Sequence, residues 1–497
     1  MQLWQNIPLF LIVLPLMCAV ICSVLPGKAA RGLMTGAAAA ACAAVGALLF
    51  LVSRQGESYI YVMGEVGAPF GNELRVGVIE GIMGLAFSLV LLFSILGGWG
   101  KLTKDVAPNR INLYATMVCL LMAAMMAITF TNDLFTAYVF IEISTIAACA
   151  LICANNKGHA LFGAARYMIM NLLGSGLFLL GLSTLYCLTG HLLFPQIEES
   201  VKALLASESY LVPLYLSFVL MTLGIALKSA LYPFHTWLPN AYTSATPTSS
   251  ALLSSLISKM YIFLLIKIFF RAAGSQVFSQ GIGDMLFIFS IAGIILGSVD
   301  AIREHSLSRM IAYSSVSQIG YIFLGISLGT QAGMAAALFH ILAHSAAKSM
   351  LFLSANKLRE VSGGSAAFRD IRGSGFRAPM AGLAFGVGAC SLVGIPLLGG
   401  FASKVFLAQA GLELGEWQKA ALLLTLALST ALNVAYMLRT TLTLYRPGER
   451  FPLTKSPLAK DAPFTAAMSA LILINVALGI GGGRVMELIY QGISMFS

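Results

Sequence analysis

The sequence predicts an all-α polytopic membrane protein with about fourteen transmembrane helices, and three observations carry this prediction. The chain has 497 residues, of which 58% are apolar and only 10% are charged, whereas soluble domains carry about 25% charged residues. The apolar residues form runs of roughly 20, the length of helix that crosses ~30 Å of hydrocarbon. Basic residues also alternate between successive loops, as they do in multi-pass proteins.

The predicted transmembrane segments leave no intervening stretch long enough for a soluble domain. In chain order they are 6–25, 31–52, 77–98, 111–130, 132–153, 163–188, 211–232, 247–270, 283–300, 309–329, 332–355, 379–411, 418–440 and 462–482. The first run has no basic residue ahead of it, so no cleavable signal peptide is expected. The segment 379–411 is too long for one straight helix, and Pro396 predicts a break within it.

Lysine and arginine residues concentrate in the loops that follow odd-numbered segments. The loop after the eleventh segment carries five of them: Lys357, Arg359, Arg369, Arg372 and Arg377. Loops after even-numbered segments hold fewer basic residues and carry acidic ones instead. The positive-inside rule therefore predicts a plasma-membrane protein with both termini on the outer side. The net charge of +10 is interpreted as a topology signal, and no nucleic-acid partner is expected.

The eight cysteines all lie in apolar segments. Since the chain has no CxxC motif and no Cys/His cluster, the pattern predicts neither an iron–sulfur cluster nor a zinc site. The cysteines are interpreted as small packing residues. We therefore expect no cofactor, no metal and no catalytic or redox centre within this chain.

Two proline-interrupted segments are similar to one another. In the seventh segment Lys228 precedes Pro233, and in the twelfth Lys404 follows Pro396. Each is thus predicted to be a broken helix with one lysine near the break. The two are five segments apart, and an odd offset places two copies in opposite orientations, which is the arrangement of an inverted repeat.

Seven titratable residues within apolar segments are the main candidates for a functional role: Glu142, Lys228, Lys259, His340, His344, Lys348 and Lys404. A charged side chain at bilayer depth is costly, so such residues indicate a function. Together they predict a proton relay. Secondary candidates are His235, Asp133 and Glu80; for Asp133 and Glu80, which lie near segment ends, the alternative role is to order an interface.

Glu142 lies in the middle of the fifth segment with no basic residue within helical reach. Its carboxylate therefore requires a partner on another helix, or a proton. Lys228 is the predicted partner, because an amine held between burial and a nearby carboxylate can take up and release a proton. Two structural alternatives stay open: a local hydrogen bond from a Ser or Thr hydroxyl to Glu142, and a static ion pair that fixes helix register.

His340, His344 and Lys348 recur every four residues and so share one face of a helix. Histidine titrates near neutral pH, so this stripe predicts a proton wire. Zinc is the alternative ligand of two histidines four residues apart, but the stripe has no glutamate and Lys348 would repel a cation. Lys259 has no neutralising neighbour in sequence, with a structural role as its alternative. Lys267 is expected to reach water from its segment end.

Four stretches carry a family resemblance: the segment around Glu142, residues 227–242, residues 307–321 and residues 394–404. They resemble the antiporter-like subunits shared by respiratory complex I, membrane-bound hydrogenases and Mrp-type cation/proton antiporters. The resemblance covers at least 110–440. It implies an N-terminal three-helix segment at 1–110, inverted five-helix repeats at 111–270 and 271–445, and a C-terminal helix and tail at 446–497.

The resemblance also implies roles along a hydrated midplane axis. Glu142 and Lys228 match the family's glutamate–lysine pair, Lys259 its bridging lysine, and the stripe of the eleventh segment its central residues. Lys404 matches the terminal residue, and a lysine there resembles the Mrp D-type subunits and one complex I subunit. Because the chain ends soon after the fourteenth segment, it is expected to lack the lateral helix and extra spans of the largest members.

The sequence thus predicts a proton-translocating subunit of a multi-subunit complex, of the hydrogenase- or ferredoxin-driven kind or of the Mrp Na⁺/H⁺ antiporter kind. Expected partners are other membrane subunits, a peripheral iron–sulfur or hydrogenase module in a redox complex, the lipid bilayer and H⁺, with Na⁺ left open. A membrane-arm subunit of quinone-linked complex I is the alternative. A stand-alone cation/proton transporter is less well supported, because no carboxylate cluster for sodium is present. The third alternative is a membrane enzyme with its own redox chemistry, and the sequence contains no cofactor motif that supports it.

Overall fold

The computed structural model describes residues 3–67, 71–279, 281–448, 454, 456 and 460–496. In these parts of the chain, 13 helices are long and apolar enough to cross a membrane. Numbered by the segment that each matches, they are span 1, Trp4–Val24; span 2, Gly27–Gln55; span 3, Val78–Gly97; span 4, Pro108–Phe130; span 5, Leu134–Cys153; span 6, Gly158–Thr189; span 7, Leu211–Ser244; span 8, Pro247–Ala273; span 9, Ile282–Arg303; span 10, Leu307–Ser327; span 11, Gln331–Glu360; span 13, Glu416–Leu444; and span 14, Ala462–Ile480. The predicted all-α polytopic membrane protein is confirmed.

Span 12 is the one predicted segment that no single long helix covers. It consists of Pro379–Val393 and Gly399–Gly411, so the predicted break is present. Gly394 ends the first half at a φ of +92°, a left-handed conformation that favours glycine. A Cβ at this position would also lie 3.1 Å from the side chain of Lys404.

Span 7 is broken as well. Its first helix, Leu211–Ser229, is followed by a 3₁₀ turn, Phe234–Trp237, and a second short helix, Leu238–Ser244. Ala230 adopts a left-handed conformation at the break, and Pro233 cannot donate a backbone hydrogen bond there. The break leaves Lys228 in the last turn of the first helix.

Span 8 contains two π-helical turns that the sequence analysis did not predict. The α-helices Pro247–Leu252 and Ser258–Ile268 are joined through the π turn Leu253–Ile257, and a second π turn, Phe269–Ala273, ends the span. Such turns shift the hydrogen-bond pattern by one residue and often occur at functional sites.

Spans 8 and 11 form the centre of the bundle. Every residue in the most apolar stretch of either span is buried, and span 11 packs against spans 3, 8, 10, 12 and 14. Spans 6 and 7 approach closely at two glycines, where a Cβ on Gly224 would lie 2.5 Å from the carbonyl oxygen of Gly174. Because outer spans shield spans 8 and 11 from lipid, their charged side chains face protein rather than hydrocarbon.

The remaining elements are short. An antiparallel hairpin pairs Tyr59–Val62 with Glu73–Val76; its four-residue strands form no long apolar run, so the all-α prediction missed it. Spans 1 and 4 begin with the 3₁₀ turns Leu3–Asn6 and Pro108–Arg110, and the other short helices and turns are Met63–Glu65, Trp99–Asp105, Phe194–Ala206, Gly274–Ser279, Ser374–Arg377 and Gly482–Ser494. The last of these lies in the predicted C-terminal tail and packs against spans 3 and 11, burying an apolar face that includes Met486 and Ile489.

Candidate functional site

Glu142 and Lys228 lie close together between spans 5 and 7. The Lys228 Nζ lies 3.9 Å from the Glu142 Oε1, beyond the usual hydrogen-bond distance. It donates instead to the Thr145 Oγ1 at 2.9 Å. The Lys228 side chain is fully buried, whereas 25% of the Glu142 side chain is exposed. The pair therefore starts at the lateral face of the bundle and leads inward.

A group of hydroxyls continues from this pair toward span 8. The Tyr261 hydroxyl lies 2.8 Å from the Ser144 Oγ and 3.3 Å from the Thr145 Oγ1, and the Lys228 Nζ lies 5.3 Å from the centre of the Tyr261 ring. On the same span, the Ser258 Oγ lies 3.4 Å from the Tyr242 hydroxyl. All of these groups are buried, and they form two hydrogen-bonded sets of hydroxyls within an apolar interior.

Sequence reasoning missed these hydroxyl residues. The available signal was the placement of Ser258 and Tyr261 on either side of Lys259. Serine and tyrosine occur in many membrane helices, however, and only the three-dimensional arrangement separates a connected group from scattered ones.

Lys259 is fully buried and follows the first π turn of span 8. Its amine donates to the Ser254 carbonyl, which belongs to that turn. No carboxylate among the described residues lies within ion-pair distance of Lys259. The amine is therefore held by a neutral acceptor that the irregular backbone provides.

The stripe on span 11 is buried in the centre of the bundle. The rings of His340 and His344 are stacked with centroids 5.8 Å apart, and the His340 Nδ1 lies 3.0 Å from the Ser403 Oγ. In the described part of the chain, three ring nitrogens have no hydrogen-bond partner: the Nδ1 and Nε2 of His344 and the Nε2 of His340. Buried polar atoms are normally satisfied by protein or by ordered water, so the stripe fits a hydrated path.

Lys348 and Lys404 are also held by neutral acceptors. The Lys348 Nζ donates to the Ile311 carbonyl at 2.9 Å and to the Ser314 Oγ at 2.6 Å. The Lys404 Nζ donates to the Val393 carbonyl at 2.8 Å. That carbonyl ends the first half of span 12, where a positive charge is favourable beside the helix dipole.

The members of the row lie close enough to influence one another. Lys259 interacts electrostatically with Lys348 and His344, and Lys404 interacts with His340. Lys228 interacts with Glu142. The structure therefore brings the seven residues into two clusters, one formed by Glu142 and Lys228 and the other by the remaining five residues.

The secondary candidates lie apart from this row. The His235 Nε2 lies 4.0 Å from the Asp300 Oδ2, in the second half of span 7. Asp133 caps span 5 by accepting the backbone N–H of Thr136, and burial raises the pKa of this carboxyl. Glu80 forms a buried ion pair with Arg75 at 2.8 Å. The two carboxylates thus make contacts that order the N-terminal ends of spans 3 and 5.

The expectation for Lys267 is wrong. Its side chain does not reach water but is fully buried. The Nζ donates to the carbonyls of Ile128, Thr129 and Thr131, at 3.4, 3.0 and 2.6 Å. These carbonyls lie at the end of span 4, where a helix lacks internal donors and carries the negative end of its dipole. They replace water as the partner of the ammonium group.

Residues 131–430 match a family model described as NADH:quinone oxidoreductase/Mrp antiporter, TM. The chain is 31% identical to NADH-quinone oxidoreductase subunit N of Desulforudis audaxviator, over 96% of this chain and 94% of that protein. It is 27% identical to the putative antiporter subunit mnhD2 of Staphylococcus aureus, over 84% of this chain and 81% of that one. A chain of the membrane-bound sulfane sulfur reductase, an archaeal respiratory membrane complex, has the same fold, with a TM-score of 0.88 at 24% identity over 99% of this chain and 98% of that chain.

Proposed function

Because the chain belongs to the transmembrane family of NADH:quinone oxidoreductase and Mrp antiporter subunits, we propose that it translocates protons as the antiporter-like subunit of a multi-subunit membrane complex. The observation that carries this proposal is the row of titratable groups from Glu142 to Lys404. Its inner members are buried, whereas Glu142 and Lys404 keep part of their surface exposed. A row of this kind connects two lateral faces of the bundle through its interior.

The proposed mechanism begins at Lys228. While Glu142 stays ionised 3.9 Å away, its charge favours the protonated amine. Movement or neutralisation of Glu142 removes this attraction, and Lys228 then releases its proton toward the hydroxyls of Thr145 and Tyr261. The 3.9 Å separation supports this step, because no direct hydrogen bond must break before the pair opens.

The proton then passes to the central group. Lys259 and Lys348 are both buried and repel one another when both are charged. We infer that Lys348 holds a proton before the transfer, so that a second proton arriving at Lys259 drives release of the first from Lys348 toward the histidines. Histidine can accept a proton on one ring nitrogen and release it from the other. Lys404 receives it last, on the far side of the row.

The proposal extends to the organisation of the chain. Each of the two proposed inverted repeats, 111–270 and 271–445, contains one broken helix with a lysine beside the break. The excess of basic residues in loops after odd-numbered spans supports a plasma-membrane location with both termini on the outer side. Other membrane subunits are the proposed partners.

Two kinds of parent complex are proposed. The first is a hydrogenase- or ferredoxin-driven complex or an Mrp-type Na⁺/H⁺ antiporter, and Lys404 supports the Mrp case through its resemblance to the D-type subunits. A quinone-linked complex is the second candidate, favoured by the near full-length similarity to a subunit N. Genes next to this one would separate them, since iron–sulfur or nickel subunits mark a redox complex. In the Mrp case, a Na⁺ gradient should drive proton movement in vesicles.

The test replaces Lys228 or Glu142 with alanine in the complete complex. We expect proton translocation to be lost while the complex still assembles, because the entry pair has been removed. Lys202→Ala is the matched control, since this lysine forms an exposed ion pair with Glu198. Normal translocation in both Lys228→Ala and Glu142→Ala would overturn the proposal.

A further inference from the structure

A polar cavity lies at one membrane face, away from the buried row. Its volume is 420 Å³, and four lysines and two acids line it: Lys101, Lys104, Lys357, Lys460, Glu360 and Asp461. We propose that this cavity binds the phosphate group of an anionic phospholipid. Nothing in the proton-transfer mechanism uses these residues, so the site would be a separate function of the chain.

The charges of the cavity are not balanced. Lys357 pairs with Glu360 at 3.3 Å and with Asp461 at 3.4 Å, and Lys104 pairs with Glu360 at 3.5 Å. Both acids are therefore engaged by these two lysines. Among the described residues, no carboxylate lies within ion-pair distance of Lys101 or Lys460. The lining therefore carries two more lysines than acids, and Asp105 opposes the charge of Lys101 electrostatically without forming an ion pair with it.

Lys101 is the more confined of the two unpaired lysines. It is half-buried, and burial lowers the pKa of its amine, with Arg359 and Lys357 adding repulsion that Asp105 and Glu360 oppose. A bound phosphate would stabilise the protonated amine of Lys101, because phosphate oxygens accept charge-assisted hydrogen bonds from lysine. Both oxygens of Asp461 already have partners, since its Oδ1 accepts the Phe464 N–H at the start of span 14 and its Oδ2 pairs with Lys357.

The location fits a lipid headgroup. The cavity lies where span 3 ends, span 11 ends and span 14 begins, so all three helices place it at the same membrane face. Trp99 also lines the cavity, and the Arg31 guanidinium stacks over its ring at 4.0 Å. Tryptophan is enriched at the membrane interface. Basic pockets between transmembrane helices at the cytoplasmic side bind anionic headgroups, and the proposed topology assigns this face to the cytoplasm.

The experiment measures lipid binding to the purified complex by native mass spectrometry, after exchange into neutral detergent and titration with phosphatidylglycerol or phosphatidylcholine. Phosphatidylglycerol should bind more tightly than phosphatidylcholine. The double variant Lys101→Gln/Lys460→Gln should weaken phosphatidylglycerol binding on the order of 30-fold, because each basic residue near a membrane surface contributes about a factor of five. Arginine at both positions should restore the binding.

The control removes the same charge from the same face. Lys28→Gln/Lys157→Gln replaces two exposed lysines that do not line the cavity, and should leave binding unchanged. A parallel titration with inorganic phosphate distinguishes a lipid from a soluble anion. Equal binding by the cavity double variant and the wild type would overturn the site, and displacement of the lipid by low-millimolar phosphate would overturn its assignment to a lipid. The readout does not depend on proton translocation, so it stands apart from the test of the proposed function.

Discussion

The charge of Glu142, rather than its shape, should control proton transfer at the entry pair. Two unit charges at the observed 3.9 Å interact by about 4 kcal/mol at an effective dielectric constant of ~20. Glu142→Asp retracts the carboxylate by roughly one carbon–carbon bond, about 1.5 Å. The interaction then falls to about 3 kcal/mol, a loss of about 1 kcal/mol or a factor of roughly five. Glu142→Gln keeps the shape and removes the whole charge interaction, up to about three orders of magnitude.

The assay is the initial rate of proton uptake into membrane vesicles that contain the assembled complex, followed with a pH-sensitive dye. Rates are normalised to the amount of complex measured on native gels. We expect the order wild type, then Glu142→Asp, then Glu142→Gln far below. Glu416→Gln is the matched control, because its ion pair with Lys419 is 95% exposed at the glutamate and exposed pairs contribute little.

A role in shape or helix register gives the opposite order. The isosteric Glu142→Gln would then retain most of the rate, and the shorter Glu142→Asp would lose it. Observation of that order, with equal assembly of the variants, would refute the reasoning.

Three further predictions follow from single contacts. Thr145→Val should slow proton uptake about tenfold, because a hydrogen bond to a charged group contributes ~1.5 kcal/mol or more. Thr145→Ser should not slow it, because serine keeps the hydroxyl that accepts from Lys228 at 2.9 Å. Equal rates in Thr145→Val and the wild type would exclude the hydroxyl from the path. Gly394→Ala should lower the free energy of unfolding by about 1–2 kcal/mol, since the φ of +92° disfavours a Cβ. Thermal unfolding of the solubilised complex measures this loss, and an unchanged midpoint would contradict it. Because burial lowers the pKa of Lys101, the Lys101→Met variant should be more stable than the wild type at pH 7 in neutral detergent. This difference in stability should shrink as the pH rises through the lowered pKa toward 10.5, where the folded and unfolded states bind the same number of protons. A difference that grows with pH would contradict the prediction.

The membrane fold could be predicted from the sequence because the bilayer imposes a length on each apolar run and a charge bias on each loop. The broken helices were also predictable, since Pro233 and Pro396 interrupt apolar segments in the same way. The π turns of span 8 could not be, because Leu253–Ile257 is as apolar and helix-compatible as its neighbours. Its altered hydrogen bonding depends on packing at the centre of the bundle.

The candidate site was predictable where charge was the signal, since a lysine or glutamate inside an apolar run is conspicuous. Its neutral acceptors were not. Lys267 shows why: the carbonyls that surround it belong to the end of span 4, far away in sequence. Which backbone carbonyls a helix leaves unpaired, and which amine meets them, is decided by tertiary packing alone.

These neutral acceptors give the row its proposed behaviour. The amines of Lys259, Lys348 and Lys404 each donate to a backbone carbonyl. A carbonyl dipole stabilises an ammonium group less than an adjacent carboxylate does, so it can hold a proton without trapping it. A carboxylate beside each lysine would instead fix every proton in place. Within the described part of the chain, only Lys228 has such a partner among these lysines, and Glu142 therefore supplies the one strong, removable attraction in the row. We infer that the coupling to the rest of the complex acts there, at the exposed end, and that the interior responds through repulsion among its own charges.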